Sequence, residues 1–277
     1  MKKISKKIIG ITGGHGALGS QLIKNYKNKF DFRIYKKRIE NEKNFKNWLS
    51  KNSDIEILIH LAAIVSIIKT KKDPKRTVKI NSNATIKIIK TLNKAKLEKF
   101  NYFLLSSTSH VYKPSFYKLK ENSSRSPITI YGKSKKKVED FIFKNKKKLN
   151  FKVGIARIFN FYSENHKKGI FIYDIKKKLL KNKKIVDINR INTPRDYINI
   201  NQVCEILIFM VRKRISLALN VASGTPLNLI DLIKSIKKKL NSKSKLNFEI
   251  KRYPGLFANI KLLRKVGYKK KITKFKF

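Results

Sequence analysis

Apolar residues along this chain recur at two alternating spacings. Positions 7–11 form a short apolar run that ends in Thr12, Gly13 and Gly14, after which Leu18, Leu22, Ile23 and Tyr26 return at helical intervals. The opening therefore predicts a strand, a glycine turn and a helix. Positions 32–35 predict a second strand, 45–49 a helix, and 55–61 a third strand. After Ala63 and a polar stretch with Asp73 and Pro74, one long helix buries Val78, Ile80, Ala84, Ile88, Ile89 and Leu92. The next strand, 102–105, breaks into Ser106, Ser107, Thr108 and Ser109. A loop over 113–129 carries Pro114 and Pro127 and needs tertiary contacts or a ligand to order it. A helix near 132–145 and a strand at 151–157 follow. Strands alternating with helices imply a parallel sheet covered on both faces.

Beyond Asn160 the alternation loosens. Helices are predicted at 170–180, 202–211, 227–240 and 260–266, and strands at 184–188, 217–221 and 246–250. The expected fold is α/β: a Rossmann-type doubly wound parallel sheet with a smaller C-terminal α/β substrate-binding lobe. Residues 1–160 are expected to form the dinucleotide-binding domain and 161–277 the lobe, partly interleaved with it.

Composition changes this picture little. With 277 residues, 41 % of them hydrophobic, the chain can bury a sizeable core, which sets disorder aside. Its one cysteine, Cys204, excludes an intrachain disulfide. The basic start lacks the apolar stretch of a signal peptide, and lysines interrupt every candidate membrane span. The expectation is a cytoplasmic protein with no membrane partner. The net charge of +51, from 68 basic and 17 acidic residues, is extreme. Its lysines are spread through the chain rather than gathered in a tail, so the expectation is solvated lysines on an ordinary scaffold, with no specific nucleic-acid partner. Such charge also steers anionic substrates inward.

Thr12 to Gly19 then supplies candidate chemistry. Gly13 and Gly16 let a pyrophosphate approach, Gly19 lets the helix pack on the sheet, and the amides from Ala17 and Leu18 face the phosphates. This turn predicts a nicotinamide dinucleotide, NAD(P). Lys37 and Arg38 follow the second strand where an acidic residue would hold the ribose of NAD, so charge leans toward NADP. Leu61, Ala62 and Ala63 end the third strand with residues small enough to run beneath the cofactor. His60 is expected to be structural, and the four histidines are too dispersed for a metal site.

Tyr131 and Lys135 share one face at a helix start, where the ammonium favours the phenolate. Ser107 and Thr108 end a strand at the carboxyl edge of the sheet, where ligands of such folds bind.

These pieces, together with His60 to Ala63, Asn81, Ser106 to Tyr112, Tyr131-Gly132-Lys133-Ser134-Lys135, Arg157 to Asn160, Arg195-Asp196-Tyr197 and Asn220 to Gly224, resemble in order and spacing the NAD-dependent epimerase/dehydratase family of the extended short-chain dehydrogenase/reductase superfamily. The resemblance implies Thr108 as the substrate-orienting hydroxyl, with Ser107 sharing that duty, Tyr131 as acid/base, and Lys135 as its electrostatic partner and ribose ligand. It implies Asn81 on the cofactor side or in helix packing, and Asn160 and Arg195 on the substrate's sugar or phosphates. It also implies a homodimer, which apolar positions Ile88, Ile89, Val138, Phe141 and Ile142 would serve. Ser109 and His110 stand where a dehydratase would carry acids. The expected activity is therefore epimerisation of a nucleotide-linked sugar through a transient ketone, the alternative being NADPH-dependent reduction of a 4-keto sugar. A scaffold kept only for nucleotide sensing is a further reading, disfavoured by the retained Thr108, Tyr131 and Lys135.

Overall fold

The computed structural model describes residues 6–163, 171–181, 185–188, 193–248 and 251–273. In chain order the elements are β1 (Ile8–Thr12), α1 (Ala17–Tyr26), β2 (Asp31–Tyr35), α2 (Glu42–Ser50), β3 (Ile57–His60), α3 (Ile67–Lys72), α4 (Pro74–Val78) and α5 (Thr85–Ala95). There follow β4 (Tyr102–Thr108), α6 (Ile130–Asn145), β5 (Lys152–Ile158), β6 (Asn160–Tyr162), α7 (Phe171–Leu180), β7 (Ile185–Ile188) and β8 (Arg195–Asn199). The last are α8 (Ile200–Lys213), β9 (Ala218–Val221), β10 (Pro226–Leu227), α9 (Leu229–Lys239), β11 (Lys245–Phe248) and α10 (Lys261–Lys265). The sequence-based helix start at Ile170, the strand start at Lys184 and the strand end at Glu249 and Ile250 lie outside the described residues.

Two compact units divide the chain. The first comprises Met1–Lys113, Ser124–Ile158 and Asn201–Leu219. Its six-stranded sheet runs β2-β1-β3-β4-β5-β9, with parallel pairing from β2 through β5. Alternation in β4 sorts the layers: Phe103 and Leu105 join Phe45, Leu49, Ile88, Leu92, Val138 and Ile142 in one core, whereas Tyr102 and Leu104 are buried outside that cluster. Thus α2, α5 and α6 cover one face. The doubly wound α/β fold inferred from the alternation is the one observed.

The chain passes from the first unit to the second at Phe159, near the border drawn at Phe161, and returns to the first at Asn201. Helix α8, assigned by position to the lobe, lies in the first unit beside α1, where Asn201 accepts hydrogen bonds from Gln21 (3.0 Å) and Asn25 (2.9 Å). Val203, Cys204, Ile206, Leu207, Ile208, Met210 and Val211 are all buried. A helix apolar on most sides must be covered on most sides, and that demand outweighs chain order.

The long helix predicted through Val78 to Leu92 is also interrupted. Residues Lys79–Ala84 form a π-helical turn between α4 and α5.

The second unit comprises Pro114–Ser123, Phe159–Ile200 and Asn220–Phe277. It has a three-stranded sheet, β10-β8-β6, and the parallel pair β11-β7. Its core gathers Ile175, Leu179, Val186, Tyr197, Leu232, Ile233 and Ile236. The Pro114 loop is ordered by backbone pairing: Ser115 and Gly255 exchange bonds of 2.9 and 2.8 Å, and Leu119 N–H donates to Phe257 at 2.9 Å.

In the first unit, Gly154 on β5 marks the tightest sheet contact. A β-carbon there would collide with the Tyr102 hydroxyl and sit 2.6 Å from the Ile215 carbonyl oxygen, which that hydroxyl already bonds at 2.8 Å. Gly154→Ala should lower stability by about 1–3 kcal/mol, read from urea unfolding midpoints. Adding Tyr102→Phe, which removes the colliding oxygen, should recover part of that loss; a purely additive double variant would show that the collision is not the cause.

Candidate active site

The glycine turn separates fold requirements from ligand requirements. Gly13 has φ +74°, and a β-carbon there would lie 2.7 Å from the Ala62 nitrogen. A side chain at Gly19 would strike the Gly13 carbonyl oxygen. Both glycines are thus demanded by the exit from β3 and by helix packing. Gly16 differs. Its φ is −71° and its ψ 164°, open to any residue, and the only neighbour of an added β-carbon is the Gly13 oxygen at 3.3 Å. The fold demands less of this position than of Gly13 or Gly19, whereas a closely approaching pyrophosphate would need a glycine. No side chain caps α1, so the amides that begin at Ala17 and Leu18 are left for an anion. This cradle fits a dinucleotide. Lys37 and Arg38 are exposed past β2, and the Arg38 carbonyl accepts the Tyr35 hydroxyl at 3.0 Å.

At the end of β3, Leu61, Ala62 and Ala63 are half-buried. His60 is fully buried, bridging Thr12 Oγ1 (2.8 Å from Nδ1) and Thr85 Oγ1 (2.9 Å from Nε2). Because Thr85 gives its own proton to the Asn81 carbonyl at 3.0 Å, it must accept from Nε2–H, which assigns the neutral tautomer. Burial, followed by the charge of Lys135, holds the imidazole at about 3, far below its ordinary range. Asn81, in the π-helical turn, is a clamp. Its Oδ1 accepts from Ile64 N–H (2.8 Å), and its Nδ2 donates to the Ile64 carbonyl (2.9 Å) and to Ser134 Oγ (3.2 Å). Of the two roles implied for Asn81, these bonds serve packing: they fasten the segment after β3 to α6. Sequence reasoning gave Ser134 no role of its own and missed Ser82, which donates to the Ser134 carbonyl at 2.8 Å. Nothing in their spacing announces a π-helical turn.

Thr108, Tyr131 and Lys135 come together where β4 meets α6. The Thr108 hydroxyl lies near enough to the Tyr131 phenol to pull its pKa down. Lys135 Nζ donates to the Ser106 carbonyl at 2.8 Å. Thr129 caps α6 by accepting from Gly132 N–H at 3.0 Å, and any side chain at Gly132 would strike the His110 carbonyl. The His110 ring meets Tyr131 edge-on at 5.9 Å. These constraints fix the phenol beside Thr108.

The electrostatics depart from the expectation of a phenolate favoured by Lys135. Burial pushes the Tyr131 phenol up to about 12, against a smaller lowering from the Thr108 hydroxyl. Burial also brings Lys135 down to about 8, against an upward pull from Glu139. Desolvation outweighs the pairing that sequence spacing suggests, because both groups leave water together. Tyr131 therefore stands protonated at neutral pH.

Ser107, expected to share the substrate role, has another duty. It pairs with Arg157 across β4 and β5, and its hydroxyl donates to Glu139 Oε1 at 2.5 Å. Arg157 grips the same carboxylate through Nε (3.1 and 3.2 Å) and Nη2 (2.7 Å), and donates to the Tyr112 hydroxyl at 2.8 Å. Burial would lower the Arg157 guanidinium, but the Glu139 bonds reverse this and hold it above its ordinary value.

Asn160 and Arg195 lie in the second unit, on the adjacent strands β6 and β8, where Asn160 is in register with Tyr197. Asn160 Nδ2 donates to the Asp196 carbonyl at 3.2 Å. Asp196 is buried and organises the region by accepting from Ser223 N–H (2.8 Å), Ser223 Oγ (2.6 Å) and Gly224 N–H (3.0 Å). Among the described residues, no group of three or more His, Cys, Asp or Glu could hold a metal ion, and no helix is long and apolar enough to cross a membrane.

A family model described as NAD dependent epimerase/dehydratase matches residues 9–222. A putative UDP-glucose 4-epimerase of Methanocaldococcus jannaschii is 24 % identical, covering 96 % of this chain and 94 % of its own. The dTDP-4-dehydro-6-deoxyglucose reductase of Escherichia coli is 29 % identical over 71 % of this chain and 63 % of its own. Among solved structures, RMD from Pseudomonas aeruginosa complexed with NADPH superposes with a TM-score of 0.83, at 19 % identity, over 97 % of this chain and 95 % of the other. With most of the chain matched, from β1 past β9, this protein belongs to the NAD dependent epimerase/dehydratase family.

Proposed function

We propose that the protein epimerises a nucleotide-linked sugar, with Tyr131 as the acid/base. The observation that carries this reading is the Thr108–Tyr131 pair beside buried Lys135, in the same unit as a glycine turn whose helix start has no side-chain cap. Gly13, Gly16, Gly19 and the start of α1 would hold a nicotinamide dinucleotide, which when bound supplies hydride exchange at the sugar carbon. Thr108 orients the reacting sugar oxygen, and Tyr131 exchanges the proton with it. Lys135 lends its charge to the phenol. The nucleotide phosphates are assigned to Arg195, whose fork matches paired oxygens, and Asn160 to the sugar or diphosphate. The relative named as a UDP-glucose 4-epimerase supports this reading.

One observation favours a second reading, NADPH-dependent reduction of a 4-keto sugar. A phenol that is protonated at neutral pH holds the proton that reduction of a ketone consumes. The relative named as a keto-sugar reductase agrees with it. Incubation with UDP-, dTDP-, GDP- and CDP-sugars and catalytic cofactor decides between them. An epimer formed without net cofactor change supports epimerisation, whereas stoichiometric NADPH consumption by a 4-keto sugar supports reduction. Tyr131→Phe should cut turnover by about 10² to 10⁴ while leaving cofactor affinity largely intact, measured by calorimetry. Near-native turnover would remove Tyr131 from the acid/base role.

The preference for NADP rests on Lys37 and Arg38. Replacing both with Ser should abolish any preference for NADPH over NADH in calorimetric titration; an unchanged ratio would place the discrimination elsewhere.

We also place the enzyme in the cytoplasm as a homodimer. Of the apolar positions expected to serve the dimer, Ile88, Ile89, Val138 and Ile142 are buried in the first unit's own core. Phe141, half-buried, and Phe143, 44 % exposed, are what α6 retains for a partner, and Arg125 lies 4.9 Å over the Phe143 ring. Sedimentation should show a dimer that tightens as salt screens the surrounding lysines, and a monomer at all salt concentrations would refute it.

A further inference from the structure

Helix α6 meets the end of β4 through three side chains spaced one turn apart. Tyr131 lies beside Thr108, Lys135 bonds the Ser106 carbonyl, and Glu139 receives the Ser107 hydroxyl. Two of these three belong to the proposed chemistry. Glu139 does not, yet it is as deeply buried as any group in the unit, at 0 % exposure, with Lys135 at 1 % and Arg157 at 1 %. A carboxylate with no packing advantage over an apolar residue needs a reason to be there.

The charge inventory provides one. Around Lys135 lie Tyr131 and Glu139 from α6, the Ser106 carbonyl and Thr108 from β4, and neutral His60 from β3. Behind Glu139 stand Arg157 from β5 and, at the rim, Arg125, which bonds Glu139 at 3.3 Å and Asp140 at 2.7 Å. Lys135 and Arg157 are thus two buried cations with one buried anion between them, and without that anion the weaker-held proton would leave. Arg157 is held by hydrogen bonds to Glu139 and Tyr112 and is an intrinsically stronger base. Lys135 would lose its charge.

We propose that Glu139 is a positioning residue for the reaction: it keeps Lys135 protonated and, through Ser107, holds the end of β4 so that Thr108 meets Tyr131. Arg157 sets the strength of this device by sharing the carboxylate. The inference rests on the reading above only where it predicts kinetics, because the protonation of Lys135 is measurable without a substrate.

The experiment follows the side-chain carbon and nitrogen resonances of Lys135 with pH in the full chain, assigned by Lys135→Arg, beside the pH profile of kcat/KM. Lys135, down at about 8, is held up by Glu139, so Glu139→Gln should move its titration lower by about one unit or more. Activity that needs the ammonium is lost as pH rises through that value, so the alkaline limb of the profile should move to lower pH with it. Glu139→Asp keeps the charge and shortens the reach: kcat should fall while the titration stays near that of the unchanged protein. Arg157→Gln frees the carboxylate and should move the titration upward, giving a second test of opposite sign if Glu139→Gln fails to fold by thermal melting. An unmoved titration in folded Glu139→Gln or Arg157→Gln, or an equal shift in Glu139→Asp and Glu139→Gln, would overturn the proposal. A titration that shifts as stated, with no turnover on any nucleotide sugar, would instead support Glu139's role and count against the proposed function.

Discussion

The seam between α6 and the end of β4 is the contact on which the site depends. An α-helix repeats every 3.6 residues, so Tyr131, Lys135 and Glu139 form one stripe rising about 6 Å per step, and the strand opposite must offer polar partners at matching heights. It does so through the Ser106 carbonyl and the Ser107 and Thr108 hydroxyls. Above the seam, Val138 and Ile142 pack with Phe103 and Leu105 as an ordinary core. The polar stripe is thus a continuation of a hydrophobic interface into the site. Register is fixed by packing on one side and by hydrogen bonds on the other, and the reactive hydroxyls inherit the rigidity of both.

Much of this was legible in the sequence because it rests on local periodicity. Alternating strands and helices yielded the sheet, and residues four apart at a helix start placed Tyr131 and Lys135 together. Gly19 was read as a packing position, and a side chain there would strike the turn, whereas Gly13, read as room for a pyrophosphate, answers first to the close approach of Ala62. What escaped was set by long-range burial. Ser107 reads like its neighbours until β5 places Arg157 opposite it. Helix α8 reads as part of the lobe because chain order carries no information about which sheet it will cover. The π-helical turn around Asn81 leaves the apolar stripe of Val78 to Leu92 intact, so a pattern of hydrophobic positions cannot reveal it. The phenol's pKa was misjudged for a related reason: spacing shows that Lys135 is near, but not that both groups are desolvated.

The surplus of positive charge gains meaning beside the few acids. With 68 basic residues and 17 acidic ones, most lysines can have no carboxylate partner. Several acids occupy places where a neutral group would fail. Asp73 caps α4, and Glu139 neutralises buried Arg157. Asp196 gathers three amides and a hydroxyl in the second unit. Exposed pairs such as Lys46–Glu42 (2.8 Å) contribute little to stability and leave the net field unchanged. Solvated lysines therefore set the long-range potential, while the buried acids set local geometry, and the two can vary independently.

That separation bears on how the site handles protons. A positive surface potential attracts a diphosphate-bearing ligand from a distance, but it is screened within about 8–10 Å in physiological salt and cannot by itself govern a buried phenol. Inside the first unit the balance is short-range: desolvation raises Tyr131, desolvation lowers Lys135, and one carboxylate opposes the second effect. Both shifts favour the uncharged form, so burial alone would leave a neutral phenol beside a neutral amine, which cannot stabilise a developing charge on the substrate oxygen. Ser107 and Arg157 hold the opposing carboxylate in place behind α6 through hydrogen bonds of 2.5 and 2.7 Å. The acid/base pair thus depends on side chains that never need to touch the sugar, and the site's working pH range is set from behind α6 as much as from its open end.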